Sequence, residues 1–261
     1  MYKERSFVEY IQDLRIRAIR IAIAIGVASV FCMTFGIGIF NIGGYRIPLP
    51  YPDTLNNIAI QVVLTMKKNL LPQSVNLIQL TPQGAFFTQI YIAAMLGTIV
   101  AMPVIVRELA AFIGPGLYQR EKTNVKKFTA SAIVLFAIGC LFSYLIVIPY
   151  MLNFLYKYGQ SIDVSTFFDV AEFVPFVMQL LIIFGLSYQF PIIMWATTVS
   201  GMVGHSFWRH NLRYAILIIT IFGAFITPDG SGVTMWFVAG PILLLYVIGM
   251  LILERKMKPV V

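Results

Sequence analysis

Charged side chains are what this sequence has least of. Asp, Glu, Lys and Arg make up 11% of its 261 residues, whereas 59% are hydrophobic and the mean hydropathy is +0.84. A soluble domain of this size cannot hide that much apolar surface, so a membrane protein is expected. Cysteine is nearly absent: Cys32 and Cys140 both lie inside apolar runs, which gives no support to a disulfide framework or a zinc site. His205 and His210 have no third ligand nearby, and the chain has no buried Asp pair, Ser–His pair or HExxH motif. Metal chemistry and intramembrane proteolysis are therefore not expected, nor is any cofactor. A cleavable signal peptide is not expected either, because residues 1–20 are polar and amphipathic, without a short apolar core and small-residue cleavage site.

What the chain does have is a series of apolar runs, at roughly residues 21–44, 84–106, 128–156, 173–200, 212–227 and 233–253. The long ones exceed the ~20 residues that cross a hydrocarbon core, and in lipid such runs must be helices. The expected fold is an all-α polytopic membrane protein: one domain, residues 1–261, of six transmembrane helices with both termini on one side. Of the 19 Lys and Arg, only Arg46, Lys67, Lys68 and Lys157 fall opposite the termini. The positive-inside rule then places both termini in the cytosol. The net charge of +8 reports orientation rather than nucleic-acid binding. The fifth run is short: from Leu212 to Ile226 it spans only ~22 Å as a helix, so it must thin the bilayer, be shielded by its neighbours or extend by partial burial of its flanks.

Outside the spans, residues 6–20 predict an amphipathic cytosolic helix that leads into the first one. Ser6 and Glu9 form a capping-box pattern, and Phe7, Tyr10, Ile11, Leu14 and Ala18 make its apolar stripe. Asp13 stands four residues before Arg17, the spacing of a helical ion pair. In the first external loop, roughly 45–83, Leu55, Ile58, Val62, Met66 and Leu70 recur at helical spacing after Asp53-Thr54, and Pro72 ends the run. They predict an amphipathic helix capping the outer surface. Between the second and third spans lies FIGPGLYQREKTNVKK, where Gly114-Pro115-Gly116 forces a tight turn and Glu121 sits among Arg120, Lys122 and Lys126. Carboxylates on a basic cytosolic face suit a cationic ligand. In the fourth span, Gln189 just before Pro191 needs a hydrogen-bond partner at depth.

These residues together resemble the TatC family, the polytopic core of the twin-arginine protein translocase. Phe112 to Glu121 is similar to the family's Phe-x-x-Pro-x-Leu-Tyr-x-x-Glu loop. Leu14-Arg15-x-Arg17 is similar to its Glu-Leu-Arg-x-Arg, with Asp13 in place of Glu. Phe184-Gly185 with Pro191, Thr227-Pro228, and Asp169 with Phe173 and Phe176 resemble further family positions, whereas Gln189 stands where the family often has Glu. The resemblance implies a receptor in a prokaryotic cytoplasmic membrane, not an enzyme. Such a receptor binds signal peptides with two adjacent arginines. It also joins small single-span TatA/TatB-type subunits in a multimeric complex that exports folded proteins using the protonmotive force. It further implies that Asp13 and Glu121 accept the arginines, because a guanidinium fork meets a carboxylate bidentately and lysine cannot. Phe112, Pro115 and Leu117 would shape the loop and touch the peptide, and Leu14, Arg15, Arg17 and Tyr118 would support that face. Arg15 and Arg17 would hold the acids, bind lipid headgroups or contact a partner, and Gln189 is a candidate partner contact. The competing expectation is a secondary transporter for a small solute, for which Gln189, Pro191 and Pro149 supply midplane polarity without any half-repeat.

Overall fold

The computed structural model describes residues 7–42, 45–71, 75–113, 125–161, 167–199, 201, 203–204, 206–227 and 232–256. The chain clusters into two compact units, one of residues 1–115 with 156–179 and one of residues 116–155 with 180–261.

In the first unit, α1 (Phe7–Thr34) runs unbroken from the amphipathic segment into the first apolar run. Ser6, its expected cap, lies outside the described residues. The helix ends ten residues before the apolar run does. There the sequence turns to Phe-Gly-Ile-Gly-Ile-Phe, whose period of two and helix-weakening glycines favour a strand. Thr34 closes the last turn by donating its hydroxyl to the Val30 carbonyl at 2.8 Å. A strand β1 (Phe35–Ile42) follows and pairs antiparallel with β2 (Tyr45–Pro52), Phe35 opposite Pro52 and Ile39 opposite Pro48. A two-stranded hairpin thus joins a mostly helical chain, and the end of the first span is corrected to Thr34. Apolarity alone does not separate a strand from a membrane helix.

The helix expected in the external loop exists as α2 (Ile58–Leu70), with Ala59, Met66 and Leu70 buried. It starts later than Asp53-Thr54. Asn57 is the cap: its Oδ1 accepts the Ile60 N–H at 3.0 Å, while its Nδ2 donates to the carbonyls of Met33 (2.8 Å) and Thr54 (3.0 Å). Asp53 instead accepts the N–H groups of Leu55 and Asn56, closing a turn that leaves Leu55 86% exposed and outside the stripe. A second, two-residue parallel pairing joins β3 (Leu77–Ile78) to β4 (Phe168–Asp169). The long α3 (Gly84–Ile113) packs along α1. Gly97 sets their separation, since a Cβ there would stand 2.8 Å from the Ile25 carbonyl oxygen and 2.9 Å from the Ser29 nitrogen. Only glycine lets the two backbones come so near. Helix α6 (Val170–Ser187) starts in this unit, where Asp169 accepts the Ala171 N–H at 3.2 Å.

In the second unit, α4 (Val125–Phe142) widens into a π turn (Ser143–Val147) before α5 (Ile148–Ser161), whose residues from Tyr156 on belong to the first unit. Pro149 has no N–H to offer the Leu145 carbonyl, and the Ile148 N–H reaches back five residues to Ser143. The fourth run, expected as one helix, is two: α6 stops at Ser187 and α7 (Phe190–Val199) resumes after Tyr188-Gln189. Pro191 cannot donate to the Ser187 carbonyl, so the ladder breaks there. Helices α4 and α6 touch at Gly139, where a Cβ would stand 2.6 Å from the Phe184 carbonyl oxygen. A short α8 (Phe207–His210) precedes α9 (Leu212–Ile226), and α10 (Val233–Lys256) completes the unit.

Among the described residues, five helical stretches are long and apolar enough to cross a membrane: Ile11–Thr34, Gly84–Leu109, Thr129–Ser161, Val170–Val199 and Val233–Arg255. The remaining apolar run is α9, a helix of 15 residues with the bounds read from the sequence.

The contact at Gly97 yields a paired prediction. Alanine is the better helix former by about 1 kcal/mol, so Gly→Ala stabilises a helix where space is open. Gly26, which has nothing within 4 Å of an added Cβ, should then raise the thermal midpoint in detergent when changed to Ala. Gly97→Ala should lower it, by a net cost of roughly 1–2 kcal/mol, because overpacking outweighs propensity. Equal midpoints for the two variants would show that the close approach is not maintained.

Candidate functional site

The amino-terminal segment of α1 presents Asp13, Leu14, Arg15 and Arg17 within little more than one turn. Leu14 and Arg15 are exposed. Asp13 and Arg17 form the helical pair that their spacing predicts, with the Arg17 Nε–H donating to Asp13 Oδ1 at 3.1 Å. That pair is half of a larger cluster. Arg17 also reaches across to α3, where its Nη1 donates to Glu108 Oε2 at 3.2 Å and to the Glu108 carbonyl at 3.4 Å. Arg20 adds a contact to the same Oε2 at 3.6 Å.

Glu108 is the residue that sequence reasoning passed over. It is buried, its side chain 6% exposed, beside an Arg17 that is 17% exposed. An isolated carboxylate at that depth would cost several kcal/mol, and two guanidiniums offset the cost. The signal was present in the spacing. Gly97, Ala101 and Glu108 fall at intervals of four and seven on α3, so they share one helical face. Gly97 meets Ile25 and Ser29 of α1, and eleven residues on Glu108 meets Arg17, twelve residues back from Ser29. At 1.5 Å per residue the two intervals agree within ~2 Å, as two antiparallel helices require.

The remaining expected site residues are only partly described. Phe112 lies in the last turn of α3. Pro115, Leu117, Tyr118 and Glu121 lie outside the described residues. The structure thus brings Asp13 together with Arg17, Arg20 and Glu108.

In the second unit, Gln189 sits in the break between α6 and α7. Its side-chain amide donates to the Ala132 carbonyl of α4 at 3.1 Å and to the Gly185 carbonyl at 3.3 Å. It therefore ties α4 to the broken helix from inside the chain. A second tie in this unit was not anticipated. Trp208 Nε1–H donates to the Thr198 hydroxyl at 3.0 Å, and the Tyr246 hydroxyl donates to the Trp208 carbonyl at 2.9 Å. Beside it Arg209, its side chain 73% exposed, meets Glu254 at 3.4 Å, a solvent-open contact of little energetic weight.

Comparison with known proteins finds relatives over nearly the whole chain. Residues 9–241 match the family model of the Sec-independent protein translocase protein (TatC). The chain is 50% identical over 253 residues to the Sec-independent protein translocase protein TatC of Cenarchaeum symbiosum, covering 97% of this chain and 96% of that one. It is 31% identical over 256 residues to the corresponding protein of Aquifex aeolicus, covering 97% of each. A crystal structure of the twin arginine translocase receptor TatC superposes with a TM-score of 0.79 at 28% identity, over 95% of this chain and all of that one. These names describe protein transport and no catalysed reaction. With a match over nearly its whole length, the chain belongs to the TatC family of Sec-independent protein translocase proteins.

Proposed function

We propose that this chain is the receptor and core subunit of a twin-arginine translocase. It forms a single six-span domain in a prokaryotic cytoplasmic membrane, with both termini in the cytosol and the α2 region capping the outer side. It binds twin-arginine signal peptides on the cytosolic face and assembles with small single-span TatA/TatB-type subunits and membrane lipid in a multimeric complex. That complex exports folded proteins using the protonmotive force. The observation that carries the reading is Asp13, a carboxylate only part-buried that already accepts a guanidinium N–H. A site with that geometry takes a peptide arginine without rearrangement of its acceptor. The charge distribution supports the orientation in each unit separately. In the first, Arg17 and Arg20 meet Glu108 at one end of α1 and α3; in the second, Arg209 meets Glu254 at the end of α10. Both are ends that the positive-inside rule assigns to the cytosol.

Glu121 is the second acceptor in this reading, with Phe112, Pro115 and Leu117 shaping its loop and Tyr118 supporting it. Glu121→Ala is expected to weaken twin-arginine peptide binding by roughly 1.5–3 kcal/mol, the scale of a charged hydrogen bond, without moving the thermal midpoint. Unchanged affinity in a peptide titration would remove Glu121 from the site.

Topology is checked by labelling. Cysteines introduced at Thr54 and Gly230 should react with an impermeant thiol reagent added outside intact cells, and one at Thr123 should not. The reverse pattern would invert the orientation.

Gln189 acts by hydrogen bonding rather than proton transfer, since an amide does not titrate. Gln189→Glu, which in its neutral form still offers one donor, should keep transport. Gln189→Leu, which removes the donors to Ala132 and Gly185, should lose partner association or transport while keeping peptide binding. Full transport and partner crosslinking in Gln189→Leu would reduce the residue to packing.

A further inference from the structure

The sequence leaves one contradiction: a receptor for arginines keeps an arginine of its own beside its acid. We propose that Arg17 is an internal competitor for the Asp13 carboxylate. It holds that acid in the unliganded receptor and gives it up to an incoming guanidinium while keeping its own seat on Glu108. The proposal rests on Asp13 being a signal-peptide acceptor.

The guanidinium of Arg17 is split between two carboxylates on two helices. Its Nε–H serves Asp13 Oδ1 at 3.1 Å, and its Nη1 serves Glu108 twice, at Oε2 (3.2 Å) and the carbonyl (3.4 Å). The two halves differ in solvent access. The Asp13 side chain is 27% exposed, and that of Glu108 6%. A charged contact open to water exchanges at small cost, whereas one cut off from water is held by the penalty of leaving a buried charge alone. Ligand entry therefore breaks the Asp13 half and spares the Glu108 half. Arg17 is not orphaned, because Glu108 retains it. Glu108 stays compensated by both Arg17 and Arg20. At Asp13 Oδ1 one guanidinium replaces another, so the kind of donor at that oxygen does not change.

The consequence is a threshold. A competitor tethered in the same chain weakens every cationic ligand by the same factor, so it does not alter the preference for arginine over lysine. It lowers the affinity of all of them equally, so a ligand held at one acceptor alone falls below working occupancy, whereas one that also engages a second acceptor or a bidentate geometry stays bound.

The test is a double-mutant cycle on the full-length protein in detergent, titrated with a twin-arginine peptide and its twin-lysine counterpart. Arg17→Gln is expected to tighten both peptides by the same roughly two- to fivefold, the range released by a part-exposed ion pair. The gain should vanish in an Asp13→Asn background, where there is no carboxylate to contest. A gain that persists there would mean that Arg17 acts by charge repulsion at a distance, and the exchange would be wrong. Weaker or unchanged binding in Arg17→Gln would overturn it too, making Arg17 a brace. If Arg17→Gln alone fails to fold because Glu108 loses a partner, Arg17→Gln with Glu108→Gln is compared with Glu108→Gln, and the same gain is expected. A parent protein without preference for the twin-arginine peptide defeats the receptor reading itself. A parent that discriminates, with no gain in Arg17→Gln, defeats the exchange alone.

Discussion

In hydrocarbon a backbone donor or acceptor without a partner costs several kcal/mol, and proline withdraws a donor wherever it stands. Much of the shape of this chain follows from how it meets that constraint. Before Pro149 the helix widens so that the Ile148 N–H reaches Ser143. Before Pro191 the ladder stops, and the Gln189 side chain enters the gap to donate to carbonyls on two helices. Where the first helix ends, at Thr34, its last carbonyl is met by the Asp53 N–H at the far end of the hairpin, at 3.1 Å. Each of these three breaks is thus matched by a specific donor.

Charge is handled with the same economy. The chain has 11 acidic residues, and one of them, Glu108, is buried at the contact of two helices. Such a carboxylate gives little net stability; what it provides is register, because two arginines of α1 fit it in one alignment only. Gly97 and Ser29 enforce the same alignment by sterics. Packing and electrostatics therefore agree on how α1 and α3 lie, and that agreement fixes the position of Asp13.

The sequence was most legible where a single physical rule governs. Apolar runs located the membrane helices, the four-residue spacing located the Asp13–Arg17 pair, and the short run from Leu212 to Ile226 appeared with those bounds. It was least legible where two rules compete. Residues 35–42 are as apolar as a helix, and only the alternation of glycine with Ile37 and Ile39 marks a strand. Asp53 and Asn57 are both good helix caps, and the choice fell to the one whose side-chain NH2 could also reach the Met33 carbonyl. Glu108 was hidden by its neighbour Arg107, since a charged pair at the end of a span reads as solvated until the facing helix is known. The loop from Pro115 to Glu121, on which the resemblance leans hardest, lies outside the described residues.

The prolines of the hairpin have a further effect. In the β1–β2 register, Pro48, Pro50 and Pro52 face Ile39, Ile37 and Phe35, so the inward donors of β2 fall on Ile47, Leu49 and Tyr51. The outward positions are the prolines, which have no N–H. A third strand arriving at β2 would find every second rung missing, and Gln61 already occupies both backbone groups of Ile37 on the opposite edge. An apolar ribbon is a ready template for aggregation, and this one is limited to a width of two strands by its own composition.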